Sequence, residues 1–386
     1  MVRPDELPDL TADVLEERTL ARAETLPSAW YVEPRFDRLD REAVFARTWQ
    51  YVGHAGRVAD HGMVLSARVA GHPVMVVRDG DILRAFYNVC RHRGGPLVAD
   101  DCRRDRVFKC GYHGWTYRLD GSLRGVPAMD RVELFNHRDF GLVSLPVGVW
   151  EGLVFVALDP AVPPLEEVFA GMRERIAPVA LGSMRFAHRV HYDVACNWKT
   201  YVDNYLEGYH VPIVHPELTK LYDFQSYVTE VADWYSLQLS PLSGEANLYD
   251  DGSGRAWYYH VFPNFMLNIL PGRLQTNRVL PTGPTTCRVE FEYFYEDLPG
   301  REARGMVRQD VEFSDGVQQE DIEICEHVQR GLESPGYDRG RFSVKYEAGV
   351  WHFQRLVKRA YGAWLRNPRP PGPPPSVHAA SGASES

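Results

Sequence analysis

No run of roughly 18 or more apolar residues occurs anywhere in the sequence, so no membrane span is expected. A basic excess is also missing. Lys plus Arg number 43 against 52 Asp plus Glu, and the resulting net charge of −9 is spread along the chain, which argues against a nucleic-acid binder. Met1–Pro27 lacks the basic start and apolar stretch of a secretory signal. Six cysteines in 386 residues are too few for a disulfide scaffold, so a reducing, cytoplasmic compartment is expected. There is no Gly-x-Gly-x-x-Gly fingerprint, no plant-type ferredoxin cysteine spacing and no internal repeat, so any dinucleotide oxidation falls to another protein. What remains is an ordinary globular composition, 44% hydrophobic and 25% charged, on a chain long enough for two cores.

The pattern changes along the chain. Residues 1–47 read as an N-terminal arm leading into a helix from Asp40 to Trp49. Residues 48–158 carry short alternating runs, such as Met63–Val69 and Pro73–Arg78, split by turns at Asp79-Gly80 and Asp120-Gly121, and so read as a small all-β domain. Pro-rich residues 159–164 mark a boundary. A mixed domain follows over 159–366. Helices are expected at 165–178 and Trp198–His210, strands at 185–195 and between 224 and 297, a long helix at Glu302–Leu332 and an amphipathic stretch at Trp351–Trp364. The Pro-, Ala- and Ser-rich tail, 367–386, reads as disordered.

Two short motifs carry the first chemistry. Cys90-Arg91-His92 is followed, after 17 residues, by Cys110-Gly111-Tyr112-His113. Each half offers one thiolate and one imidazole, as a Rieske two-iron, two-sulfur cluster requires, with two Cys on one iron and two His on the other. Gly94, Gly95 and Gly114 allow close backbone approach. The rival readings are zinc, which usually pairs Cys with Cys and His with His, or plain core residues. Cys102, Cys196, Cys287 and Cys325 have no partner at ligand spacing and read as small buried hydrophobes.

The second centre is read from Asn197 to His215. His210 and His215, five residues apart, would sit about 500° round a regular helix. Pro212 implies that the helix ends or distorts near His210 and folds His215 back beside it. Glu207 lies one turn before His210, placed to hold the far nitrogen of a metal-bound imidazole. A mononuclear iron site also needs a carboxylate. In the long helix, Phe313, Val317, Asp321, Cys325, Val328 and Leu332 form an apolar stripe interrupted only by Asp321. A carboxylate there needs a cation or strong donors; iron held with the two histidines and a salt bridge to an Arg are the two readings.

Cys90-x-His92, Cys110-x-x-His113, Asn197-Trp198-Lys199, Asp203-Asn204-Tyr205, Glu207-x-x-His210 with His215, and Glu320-Asp321 together resemble the catalytic alpha subunits of Rieske non-haem iron oxygenases. The resemblance covers roughly residues 30–360. It implies an α+β chain, with a Rieske β-sandwich domain beside a helix-grip (START-like) catalytic domain built on an antiparallel sheet. It also implies a [2Fe-2S] Rieske cluster, mononuclear Fe(II), a homo-oligomer such as a trimer, and a separate NAD(P)H-dependent reductase or ferredoxin. Electrons would pass from His113 of one chain through Glu207 to His210 of the next, and O2 would be used to hydroxylate or demethylate a small organic substrate. Many ring-hydroxylating members have Asp where this chain has Glu207. The run from Asp203 to His215-Pro216 looks most like the branch acting on quaternary ammonium compounds. An aromatic-ring hydroxylating dioxygenase and a non-catalytic electron carrier with a ligand-binding domain are the alternatives. An onium ion wants aromatic faces. Of Tyr205, Trp234, Tyr235, Trp257, Tyr258, Tyr259, Phe262 and Phe265, the pocket is expected to use Tyr205, Trp257 and Tyr259, with Asn204 and Glu207 as catalytic residues.

Overall fold

The structure is a computed structural model that describes residues 2–177, 179–218, 227–241 and 255–368. It divides into two compact units, one formed by Phe45–Leu165 and one by Met1–Val44 with Glu166–Pro368. The tail expected to be disordered lies almost wholly outside the described residues.

In the Phe45–Leu165 unit, strands Met63–Val69 and His72–Asp79 lie within a five-stranded antiparallel sheet. Strand periodicity sends successive side chains to opposite faces. Val64, Met75 and Val77 join one core with Cys90, Phe108, Cys110, Trp115 and Tyr117, while Leu65, Val74 and Val76 join another with Val52, Val154 and Val156. Both faces are therefore covered, and the central strands read as nearly continuous hydrophobic runs. A three-stranded sheet, Val107–Lys109, Thr116–Arg118 and Leu123–Gly125, carries the second Cys-His loop between its first two strands.

The other unit is built on a seven-stranded antiparallel sheet. Its strands are β1 (Arg185–Val194), β2 (Val228–Val231), β3 (Tyr235–Pro241), β4 (Arg255–Val261), β5 (Phe265–Leu270), β6 (Arg273–Gly283) and β7 (Thr286–Tyr295), in spatial order β1-β7-β6-β5-β4-β3-β2. Strands β2 to β7 form a meander, and β1 closes it beside β7. The helices that matter for the site are α1 (Trp198–Tyr205), α2 (Val211–Val214), α3 (Met306–Leu332) and α4 (Ala348–Arg366). Together the two units make an α+β chain of the expected kind.

Residues 1–44 do not stand apart as an arm. Trp30, Phe36 and Leu39 are buried in the same unit as α4, with Trp30 and Tyr361 ring centroids 4.7 Å apart. In place of one helix over Asp40–Trp49, a π turn (Asp40–Val44) runs into a 3-10 turn (Phe45–Arg47). This irregular turn delivers Asp40 into the core. Its carboxylate accepts from Trp198 Nε1 at 2.8 Å, Tyr361 Oη at 2.5 Å and the fully buried Lys199 ammonium. Asp203, further along α1, accepts from Tyr31 Oη at 2.6 Å and Gln354 Nε2 at 3.0 Å. Two buried polar anchors thus fix α1, the helix that leads into the site.

Candidate metal centres and cavity

The two Cys-His loops have matching backbones. In each, the cysteine N–H donates five residues ahead, Cys90 to Gly95 O and Cys110 to Trp115 O, both at 2.8 Å. In each, a glycine N–H four residues ahead returns to the cysteine carbonyl at 3.0 Å, from Gly94 and Gly114. Those two glycines have φ of +75° and +76°, a left-handed conformation that side chains disfavour. A Cβ at Gly95 would come within 3.2 Å of Cys110 Sγ, so the cradle is tight on that side. Both cysteines are buried, and the His92 and His113 rings lie 4.6 Å apart at 78°. His92 stacks on Trp115, and its buried Nδ1 has no partner among the described residues. Tyr117 Oη contacts Cys90 Sγ at 3.3 Å and accepts from Arg91 N at 2.9 Å. Two buried thiols, two facing imidazoles and an orphaned ring nitrogen fit a Rieske cluster. His113 is exposed and Tyr112 is 63% exposed, so the imidazole edge of the site opens to the surface.

The second centre is assembled around the end of α1. Asn197 caps this helix, its Oδ1 accepting from Lys199 N at 2.9 Å. The helix stops at Tyr205, earlier than the expected His210, and α2 starts at Val211 with Pro212 in its first turn, where a missing N–H costs nothing. This break turns both histidines toward α3. His210, His215 and Asp321 bring one ligand atom each to within 4.8 Å of one another. His215 Nε2 lies 3.0 Å and His210 Nε2 3.7 Å from Asp321 Oδ1. The other ring nitrogens are held from behind. His210 Nδ1 pairs with Glu207 Oε1, and His215 Nδ1 with Glu320 Oε2, both at 2.6 Å. Carboxylates at Nδ1 orient the imidazoles and leave Nε2 to converge with Asp321, the arrangement a metal-bound histidine needs. Two histidines and one carboxylate fit iron(II) with open positions. Burial opposes a charge on His215, but its hydrogen bonds to Asp321 and Glu320 outweigh that and hold its pKa above the ordinary imidazole value.

A cavity of about 170 Å³ opens over this cluster. The sheet supplies one wall. Gln238, Tyr258, Asn268 and Gln275 stand directly opposite one another on β3, β4, β5 and β6, and all four line the cavity. Trp257 and Tyr259 do not. They alternate with Tyr258, so the pleat turns them to the other face of the sheet, where both are buried. The aromatic side chain that β4 gives the cavity is Tyr258, one residue out of phase with the expectation. Asn204 and Tyr205 do line it, and Tyr205 Oη donates to Asn268 Oδ1 at 2.7 Å.

The apolar stripe on α3 holds only in part. Phe313 and Val317 line the cavity and Cys325 is buried, but Val328 is 46% exposed. The inner face instead runs through Asp310, Gln318, Cys325 and Gln329. Each of these three polar side chains has a partner: Asp310 with Arg273 Nε at 2.6 Å, Gln318 with Tyr201 Oη at 2.7 Å, Gln329 with Asn197 N at 2.8 Å. Glu320 contacts a ligand histidine although its helix position reads as a solvated charge. Its adjacency to Asp321 was the available signal. Two of the cysteines read as separate core residues lie together, with the Cys196 and Cys287 Sγ atoms 4.0 Å apart.

Comparison with known proteins agrees with both centres. Residues 48–136 match the Rieske [2Fe-2S] domain, and residues 181–363 match the ring hydroxylating alpha subunit (catalytic domain). The chain is 36% identical over 357 residues to the chloroplastic choline monooxygenase of Arabidopsis thaliana, covering 88% of this chain and 83% of that protein. It is 30% identical over 349 residues to the carnitine monooxygenase oxygenase subunit of Acinetobacter baumannii, covering 86% and 94%. The crystal structure of the quaternary ammonium Rieske monooxygenase CntA with L-carnitine superposes with a TM-score of 0.76 at 27% identity, over 89% of this chain and 97% of that one. Naphthalene 1,2-dioxygenase from Rhodococcus, at 18% identity and a TM-score of 0.76 over 94% and 99%, shares the fold. This chain belongs to the Rieske non-haem iron oxygenases, as a catalytic subunit that binds a [2Fe-2S] cluster and a mononuclear iron.

Proposed function

We propose that this chain is the terminal oxygenase that hydroxylates a C–H bond of a quaternary ammonium compound, with electrons from a separate NAD(P)H-dependent reductase or ferredoxin. The observation that carries the reading is the cavity over His210, His215 and Asp321. It is lined by the rings of Tyr201, Tyr205, Tyr227, Tyr258, Phe291 and Phe313. Its one described Lys or Arg, Arg273, is matched by the buried Asp310. Aromatic faces with no competing unmatched cation suit an onium ion. Bound iron would supply the O2 chemistry, in which O2, two electrons and two protons convert C–H to C–OH and release water. The chain's own residues hold the reactants. Glu207 and Glu320 orient the two imidazoles, and the aromatic wall excludes water around the onium methyl groups.

We further propose a homo-oligomer, such as a trimer, in which the exposed His113 of one chain meets Glu207 of the next. Glu207 supports this role because its carboxylate already holds His210 and is only partly buried. In the solved quaternary ammonium monooxygenase CntA, inter-subunit electron transfer is likewise described. A cytoplasmic setting is consistent with six free cysteines, and among the described residues no helix is long and apolar enough to cross a membrane.

The test is turnover with a reductase, NADH and a panel of onium and aromatic compounds. NADH-dependent product from onium compounds, with formaldehyde where an N-methyl group is attacked, is expected. A cis-diol from an arene with no onium turnover would replace this reading with ring dioxygenation. The absence of any O2-dependent product would favour an electron carrier.

A further inference from the structure

Gln318 sits on α3 one turn before Asp321, and it is 2% exposed. It lines the cavity together with Tyr201 and the two ligand histidines. Its Oε1 accepts from Tyr201 Oη at 2.7 Å. Burial pushes the Tyr201 phenol pKa well up, so that hydroxyl stays protonated and remains a donor at any working pH. The carboxamide oxygen faces this hydroxyl and the nitrogen lies on the other side of the group. That nitrogen, Nε2, is buried and has no partner among the described residues.

The neighbouring wall groups are already engaged. Tyr205 Oη bonds Asn268, Gln238 Nε2 bonds Tyr205 O, Gln275 Nε2 bonds Asn277, and Arg273 bonds both Asp310 and Gln275. A buried amide N–H is costly to leave unmade, and such groups in native proteins nearly always find an acceptor. With none among the described residues, the occupant of the cavity that Gln318 lines is the remaining source of an acceptor.

We propose that Gln318 Nε2–H donates to an oxygen carried by the substrate, so that the cavity selects an onium compound bearing a hydroxyl or carbonyl group over an all-hydrocarbon onium. This inference rests on the onium reading above. Gln318 is a specificity-determining residue: the aromatic rings recognise the charge, and the amide sets which carbon faces the metal ligands by fixing the oxygen end.

The experiment compares choline with its near-isostere propyltrimethylammonium, in which a methyl group replaces the hydroxyl. Equilibrium Kd is measured by calorimetry, and kcat and KM with a reductase, for wild type, Gln318→Met and Gln318→Glu. Met keeps the length of the side chain without hydrogen-bonding groups; ionised Glu keeps an acceptor for Tyr201 without the N–H. Wild type should prefer choline by about tenfold in Kd and kcat/KM. Gln318→Met should bring that ratio near one, mainly through KM, with iron content unchanged; in Gln318→Glu the choline hydroxyl donates to the carboxylate instead, and a preference should persist. An undiminished ratio in Gln318→Met, or an equal preference already in wild type, overturns the assignment and leaves the onium reading standing. An equal loss on both compounds with iron retained assigns Gln318 a structural role and also overturns it. If wild type neither binds nor oxidises either compound but oxidises an arene, the onium reading has failed and the inference falls with it.

Discussion

In the Phe45–Leu165 unit, all four candidate cluster ligands come from two loops that close on themselves through backbone hydrogen bonds. In the other unit, His215 and Asp321 are 106 residues apart in sequence and meet only because α1, its break at Tyr205 and α3 are all in place. The first site is a local device on a β scaffold. The second is a product of the whole fold, held by anchors well away from the metal ligands: Asp40 under α1, Asn197 at its cap and Gln329 on α3. Changes far from the metal should therefore disturb the iron site while leaving the cluster loops intact.

The sharpest way to break that contrast is to remove one ligand from each centre. Asp321→Ala should abolish turnover and iron binding at the second site while the visible spectrum of the cluster persists; Cys110→Ser should do the reverse to the cluster. Loss of both centres in either variant would mean that they are not independent.

Next in size is Asp40→Asn. It leaves the buried Lys199 ammonium without its counter-charge, and an uncompensated buried charge costs about 3–5 kcal/mol. Denaturant unfolding followed by tryptophan fluorescence should show the drop. Iron should be lost at lower denaturant than in wild type, with cluster absorbance less affected. An unchanged midpoint would show that this anchor contributes nothing.

A smaller effect is expected from pH. Burial pushes the His260 imidazole pKa down to about 4, below the ordinary 6.5. The unfolded chain therefore takes up a proton below 6.5 that the folded chain refuses until about pH 4. Stability is intact above 6.5 and falls as the pH drops through that window, by roughly 3 kcal/mol at most. Asp203 acts in the opposite sense, because burial raises its carboxyl pKa to about 7. Comparing wild type with His260→Gln isolates the histidine, and the variant should show a shallower loss of stability between pH 6.5 and 4. Parallel curves for the two proteins would count against it.

Smallest is Glu207→Gln. The amide can still contact His210, so both centres should stay loaded while turnover falls about 10- to 100-fold. Unchanged turnover would remove Glu207 from the proposed path between chains.

The same contrast decides what could be read from the sequence. The two facing Cys-His loops were legible because their chemistry is contiguous, Cys-x-His and Cys-x-x-His beside glycines. The convergence of His210, His215 and Asp321 was legible from Pro212 and from one carboxylate interrupting an apolar helix. The inner face of α3 was not, because Gln318 and Gln329 are buried polar residues whose side-chain oxygens accept from another helix and its cap, and a hydrophobic stripe cannot anticipate them. The choice of Trp257 and Tyr259 over Tyr258 failed because all three are aromatic, and composition alone does not fix the phase of a strand; the pairing of Tyr258 with Gln238 and Asn268 does. The N-terminal segment reads as a loose arm because its irregular turns lack periodicity, although Trp30 and Asp40 are buried.

Whether one chain builds both centres is read from the ratio of iron to acid-labile sulfide in anaerobically purified protein. Two irons with two sulfides from the cluster and one further iron held by His210, His215 and Asp321 are expected, a ratio of three to two that falls to two to two in Asp321→Ala. Two irons and two sulfides in the wild-type protein, unchanged by that substitution, would contradict that expectation.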